Sequence, residues 1–151
     1  MKHVHVECLP DEYLVNRLGI SRRNITHHQG KSRVFHVLSK KSNQIAMVDE
    51  DPGSVKTRYE NLLTFVEEFE GIRCYTDSSG NRILYLNGKL EDWIISVCRK
   101  EGIRPGSFGL TDRPNDLHEI INYRLTSFDR LLAELTSKDS PALNTLQKWL
   151  H

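Results

Sequence analysis

Short apolar runs and amphipathic stretches alternate along the first two thirds of the chain. Residues 2–8 alternate polar and apolar side chains, with Val4 and Val6 on one side, and predict a strand. Leu9-Pro10-Asp11 supplies a turn, and residues 11–18 predict a short helix stopped by Gly19, with acidic residues in its first turn where the dipole favours them. Residues 25–28 predict a second strand. Residues 31–41 place Val34, Phe35, Val37 and Leu38 at helical spacing. Residues 44–48 form an apolar run that ends abruptly in Asp49-Glu50-Asp51-Pro52-Gly53, the pattern of a buried central strand of a parallel sheet. Residues 54–69 predict a long amphipathic helix, with Tyr59, Leu62, Leu63, Val66 and Phe69 on one face and Gly71 as its stop. Two strands joined by a hairpin turn at 77–81 follow, over 72–76 and 82–86. Beyond them come a helix over 90–101, a Pro/Gly-rich loop over 102–114, and helices over 116–135 and 141–150, the last opened by Pro141.

This order implies an α/β fold: a Rossmann-like, mainly parallel sheet with helices on both faces, followed by a C-terminal helical tail. The expected division is an α/β domain over 1–104 and a helical extension packed on it over 105–151. With 151 residues the chain is long enough to bury a real core. Its formal charge of +1 excludes coating of nucleic acid by bulk electrostatics and leaves room for local basic patches. No apolar run reaches the roughly 20 residues of a membrane-spanning helix, and residues 1–7 lack the apolar segment of a secretory signal. Three widely spaced cysteines, Cys8, Cys74 and Cys98, with no C-x-x-C pair, suit a reduced cytoplasmic protein without structural zinc.

In an α/β sheet, functional groups gather beyond the carboxyl ends of the strands. That rule selects Glu7, after the first strand, and Asp49, Glu50 and Asp51, after the third. If the extended conformation persists, the i, i+2 spacing turns Asp49 and Asp51 to the same side. Carboxylates so close repel, and a divalent cation stabilises both as anions. Oxygen donors favour Mg²⁺ or Mn²⁺ over zinc. With Glu7 on a neighbouring strand, the three acids form a metal cradle.

Val6-Glu7-Cys8-Leu9-Pro10-Asp11, Gln29-Gly30-Lys31-Ser32 and Val48-Asp49-Glu50-Asp51-Pro52-Gly53 resemble, in order and spacing, the motifs of a Toprim domain. This catalytic fold is shared by topoisomerases, bacterial primases and nucleases of the overcoming-lysogenization-defect type, and small stand-alone members look most similar. The resemblance covers residues 2–101. It implies a Mg²⁺ site made by Glu7 and the Asp49-x-Asp51 pair, with Asp11 as a second-metal ligand and Glu7 as a general base. A Gly commonly follows the first Glu in that family, and here Cys8 stands there.

Further candidates carry less chemistry. Glu91 follows the last strand and is a further candidate metal ligand, although first-turn acids such as Glu91 and Asp92 also complement a helix dipole. Gly30 and Lys31 precede a helix N-terminus and are candidate phosphate contacts, without the remainder of a Walker A motif. Adjacent His27 and His28 point to opposite faces of a strand and read as structural. Arg22-Arg23 and Lys40-Lys41 read as solvated charge, and Trp93, Phe108, Phe128 and Trp149 as packing. Cys8 has no base partner and is not read as a nucleophile. No Tyr is placed for a covalent topoisomerase intermediate. A response regulator wants its acidic pair after strand one, and a haloacid-dehalogenase phosphatase carries Asp-x-Asp on its first core strand. Neither placement matches.

The expectation is therefore Mg²⁺- or Mn²⁺-dependent phosphodiester chemistry on DNA or RNA, by a small nuclease with catalytic Glu7, Asp49 and Asp51. The alternative is a non-catalytic module that binds nucleic acid or a protein partner supplying the activity.

Overall fold

The computed structural model describes residues 2–151. Its strands are β1 (Val4–Val6), β2 (Ile25–His27), β3 (Ile45–Asp49), β4 (Thr64–Phe69), β5 (Ile72–Thr76) and β6 (Arg82–Leu86). The helices are α1 (Leu9–Arg17), α2 (Lys31–Leu38), α3 (Leu90–Glu101), α4 (Pro114–Ile120), α5 (Leu125–Thr136) and α6 (Pro141–Leu150). The strands form one sheet in the order β2-β1-β3-β6-β5-β4. β2, β1, β3 and β6 run parallel, while β5 and β4 are added antiparallel. The fold is thus α/β with a mixed sheet.

The long helix expected over 54–69 does not form. A loop leads to a 3-10 turn at Glu60–Leu62 and then to β4 at the sheet edge. Glu70 (φ 50°) and Gly71 (φ 77°) are both left-handed, the requirement of a two-residue hairpin turn, and they fold β4 directly onto β5. The apolar spacing that suggests a helix is coincidental: Phe65, Val66 and Phe69 are residue types that favour strands, and all three are substantially exposed. A second correction concerns residues 116–135. A 3-10 turn at Ile121–Tyr123 and the non-helical Arg124 (φ −130°) divide them into α4 and α5.

Strand alternation gives the sheet two faces. Val4, Val6, Ile45, Met47, Ile72, Leu84 and Leu86 belong to a large core shared with α1, α3, α4, α5 and α6. The C-terminal helices are integral to this core through Leu117, Phe128, Leu131, Leu146 and Leu150. Arg82 on β6 also donates to the Trp149 carbonyl at 2.7 Å. The opposite face carries Ala46, Val48, Ile83 and Tyr85, packed against Val34, Phe35 and Leu38 of α2 with Tyr59, Leu63 and Tyr75 at its margin. No helix among the described residues is long and apolar enough to cross a membrane.

Candidate functional site

The pairing of Val6 with Met47 places the carboxyl ends of β1 and β3 side by side. Glu7 leaves β1 and accepts the Asp49 N–H at 2.6 Å through Oε2. Asp49, the last residue of β3, accepts the Leu90 N–H at 3.0 Å through Oδ1, which ties it to the first turn of α3. Asp11, on α1, is 1% exposed and Glu91, on α3, 4% exposed. Each has a buried carboxylate oxygen with no hydrogen-bond partner, Oδ1 of Asp11 and Oε2 of Glu91. The other oxygens are engaged: Asp11 Oδ2 accepts the Cys8 thiol at 3.1 Å, and Glu91 Oε1 lies 3.1 Å from His118 Nδ1.

Burial and repulsion among carboxylates raise the pKa values of Glu7, Asp11 and Asp49. Burial holds the Asp11 carboxyl well above the usual carboxylate range, with Asp49, Glu7 and Glu91 adding negative charge. Burial, then Glu7 and Glu91, pushes Asp49 up to about 7. Burial also raises Glu7, opposed by the Asp49 N–H and by the Lys31 ammonium. Lys31 opens α2 after Gly30, whose φ of 102° turns the chain into the helix. Its Nζ donates to the Glu50 carbonyl at 3.2 Å and lies 5.7 Å from the centre of the Tyr85 ring. Its charge reaches Glu7 and Asp49.

Asp51 occupies a different position from that expected. β3 ends at Asp49, and Asp51 is left-handed (φ 47°), its N–H donating to the Gly88 carbonyl at 2.9 Å. The extended geometry needed to hold Asp49 and Asp51 on one side is broken. Asp51 is exposed and borders a pocket beside the cluster, from which its charge still reaches Glu7.

Oxygen donors, excess negative charge and two unpartnered buried carboxylate oxygens fit a hard divalent cation. In this conformation no group of three or more His, Cys, Asp or Glu side chains among the described residues is arranged to hold one. Glu7 and Asp49 each give an oxygen to a backbone N–H instead.

His27 and His28 take part in separate side-chain contacts. His27 Nδ1 lies 3.2 Å from Glu12 Oε2, and His28 Nε2 lies 3.0 Å from Nδ1 of His5. Cys8 keeps its proton, because burial and the Asp11 carboxylate raise the thiol pKa strongly.

Two residues beside the acids carry no warning in the sequence. His118 lies beyond residue 101, and only tertiary packing brings it to Glu91. Glu60 sits in the stretch with helical spacing and accepts the Tyr85 hydroxyl at 2.7 Å. Comparison with protein-family models, curated proteins and solved structures finds no match to this chain.

Proposed function

We propose that the protein carries out Mg²⁺- or Mn²⁺-dependent phosphodiester chemistry on nucleic acid, as a small nuclease of the Toprim kind. The observation that carries this reading is the gathering of Glu7, Asp11, Asp49 and Glu91 where β1, β3 and the start of α3 meet, with two carboxylate oxygens buried and unpartnered. Asp49 and Glu7, with Asp51 at the rim, are the ligands this reading requires, and Asp11 and Glu91 the additional ones. A bound divalent ion supplies Lewis-acid polarisation of a phosphoryl oxygen. The chain's own contributions are separate. Glu7, its pKa raised above the ordinary carboxylate value by burial, is a stronger base toward a water proton than an exposed carboxylate. Lys31 offers an ammonium to a phosphate at the same edge, and the Leu90 N–H fixes the orientation of Asp49.

The test is calorimetric Mn²⁺ binding and Mn²⁺-dependent cleavage of DNA and RNA, compared with Asp49→Asn and Asp51→Asn. This reading expects Asp49→Asn to abolish both and Asp51→Asn to weaken both. Binding and cleavage unchanged in both variants overturn it.

A non-catalytic module is favoured by one observation. Cys8 hydrogen-bonds Asp11 with a protonated thiol and occupies the turn after β1. Nucleic-acid binding that survives Asp49→Asn, with no cleavage by either protein, supports that reading.

A further inference from the structure

We propose that the edge of the molecule formed by β2 and α2 carries the phosphodiester backbone of a nucleic acid, without reading its bases. This inference rests on the reading that the protein handles nucleic acid, and it adds where and by which chemistry the strand is held. Residues 13–48 contain seven of the 21 Lys and Arg side chains and none of the 20 Asp and Glu. The near-neutral charge of the whole chain therefore conceals two unlike edges.

β2 is the outer strand, paired only with β1, and α2 packs beside it over β1 and β3. Val34, Phe35 and Leu38 turn inward, so Arg33, His36 and Lys40, three and four residues apart, form one exposed row. The dipeptide Lys40-Lys41 reads as solvated charge taken alone; in the fold it closes this row. Burial, then the charges of His27, Arg33, His3 and Lys41, hold His28 below its ordinary pKa, so Arg33 and Lys41 both act on the end of β2. Burial and then Lys41 lower His3 in the same way. At the start of α2, Lys31 donates to the Glu50 carbonyl, and its charge reaches Glu7 and Asp49. The cations thus run from the amino ends of the strands to the carboxylates.

Charge, length and the lack of apolar surface select the occupant. Among the described residues, Arg33, Lys40 and Lys41 have no carboxylate within ion-pair distance. Beside β4, by contrast, Arg73 holds Glu50 and Glu68, and Lys100 holds Glu70. With Glu67 also exposed there, a polyanion is repelled from the β4 side and drawn along α2. Eight residues make α2 about 12 Å long. Phosphates about 3.4 Å apart along each strand of a duplex set about four beside it, matching Arg33, Lys40, Lys41 and Lys31. The exposed large apolar side chains, Val55, Leu62, Phe65, Val66, Phe69 and Tyr123, all lie elsewhere, so this edge has nothing to insert into a bilayer. Phe35 is buried, and no other Phe, Tyr or Trp stands on α2 or β2 to stack on a base.

The test is fluorescence anisotropy with labelled oligo(dT), oligo(dA) and a DNA duplex of mixed sequence, over a series of salt concentrations. Measurement in EDTA makes binding independent of the metal reading, and a repeat with Mn²⁺ on Asp49→Asn covers the case in which bare carboxylates repel the strand. The triple variant Arg33→Gln, Lys40→Gln, Lys41→Gln is compared with a charge-matched control, Arg99→Gln, Arg104→Gln, Arg113→Gln, all exposed. The expected result is a duplex salt slope reduced by about three in the edge variant, with binding about 100-fold weaker near 0.1 M salt. The control stays within about twofold of the parent, and oligo(dT) and oligo(dA) lose binding alike. Circular dichroism shows whether each variant is folded, and a folded Lys40→Gln, Lys41→Gln pair alone suffices.

Equal losses in the edge and control variants, an unchanged slope in a folded edge variant, or no binding to any strand in either condition overturns the inference. So does edge-dependent binding of anionic phosphatidylserine vesicles in place of nucleic acid. Edge-dependent nucleic-acid binding without Mn²⁺ binding or cleavage keeps this inference and removes the nuclease. Mn²⁺ binding lost in Asp49→Asn, with nucleic-acid binding untouched in the edge variant, does the reverse.

Discussion

On one face of the sheet Val4, Val6, Ile45, Met47, Leu84 and Leu86 lie fully buried beneath a layer to which five helices contribute. On the other, a single helix and the connection after β3 cover Ala46, Val48 and Ile83, and the cover gives out at Tyr75 and Phe65. The difference separates two tasks. Apolar burial on the thick face supplies the stability that allows the acids between its helices, and the edge of the thin face, to be poorly optimised for folding. The crowding of Glu7 and Asp49 with the buried Asp11 and Glu91 works against the fold, and the exposed Phe65 ring on β4 adds little to it.

Truncation in the thick face should have the largest effect. Phe128→Ala empties a fully buried site on α5 and should cost about 3–5 kcal/mol in a urea titration. A loss below about 1 kcal/mol would show that α5 is not part of the principal core. Next is Asp49→Asn, which keeps an oxygen for the Leu90 N–H while removing charge from the cluster. In EDTA it should raise stability at neutral pH by about 2 kcal/mol, with the direction fixed by the raised carboxyl pKa. A destabilised variant would mean that the Asp49 anion is held by favourable partners.

Acidification separates two titrations of opposite sign. The Asp49 carboxyl keeps its proton in the folded state up to about 7, against 3.8 otherwise, so its contribution to stability rises as pH falls through that interval. His5 behaves inversely. It is buried between His28 and Gln44, and burial lowers its pKa below 6.5, so the unfolded chain takes the proton first. Its contribution is complete above pH 6.5 and is lost as pH falls below that value. Because Asp11 and Glu7 titrate in the same direction as Asp49, His5 is isolated by His5→Gln, which should make stability below pH 6.5 gain more, or lose less, on acidification than in the parent chain. An unchanged slope would remove His5 from this account. The smallest expected effect is Phe65→Ser on exposed β4, within about 0.5 kcal/mol. A larger loss would show that the thin face is more completely covered than its rings indicate.

The same contrast accounts for what the sequence made legible. The run Gln44-Ile45-Ala46-Met47-Val48 reads as a buried strand, and β3 indeed lies between β1 and β6. The hairpin of β5 and β6, helix α3 and the start of α6 at Pro141 follow local signals that no distant contact overrides. Residues 54–69 are where spacing misleads. Leu62, Leu63, Val66 and Phe69 fit a helical face, but Gly71 serves a hairpin turn with Glu70 and does not stop a helix. Only pairing with β5 decides between the two.

At the site, strand ends disclosed Glu7 and Asp49, while the left-handed turn at Asp51 is invisible in an i, i+2 pattern. His5 and His118 acquire their surroundings from residues 23 or more positions away. No local period encodes such contacts.

The hydrogen bond from Cys8 to Asp11 also bears on oxidation. Peroxide attacks the thiolate, and a thiol kept protonated by burial beside a carboxylate presents almost none. Cys74 and Cys98 are buried as well, and burial is the main cause raising the pKa of each. A sulfur set among the acids therefore resists conversion to sulfenic acid, leaving the cluster's composition unchanged through an oxidative burst.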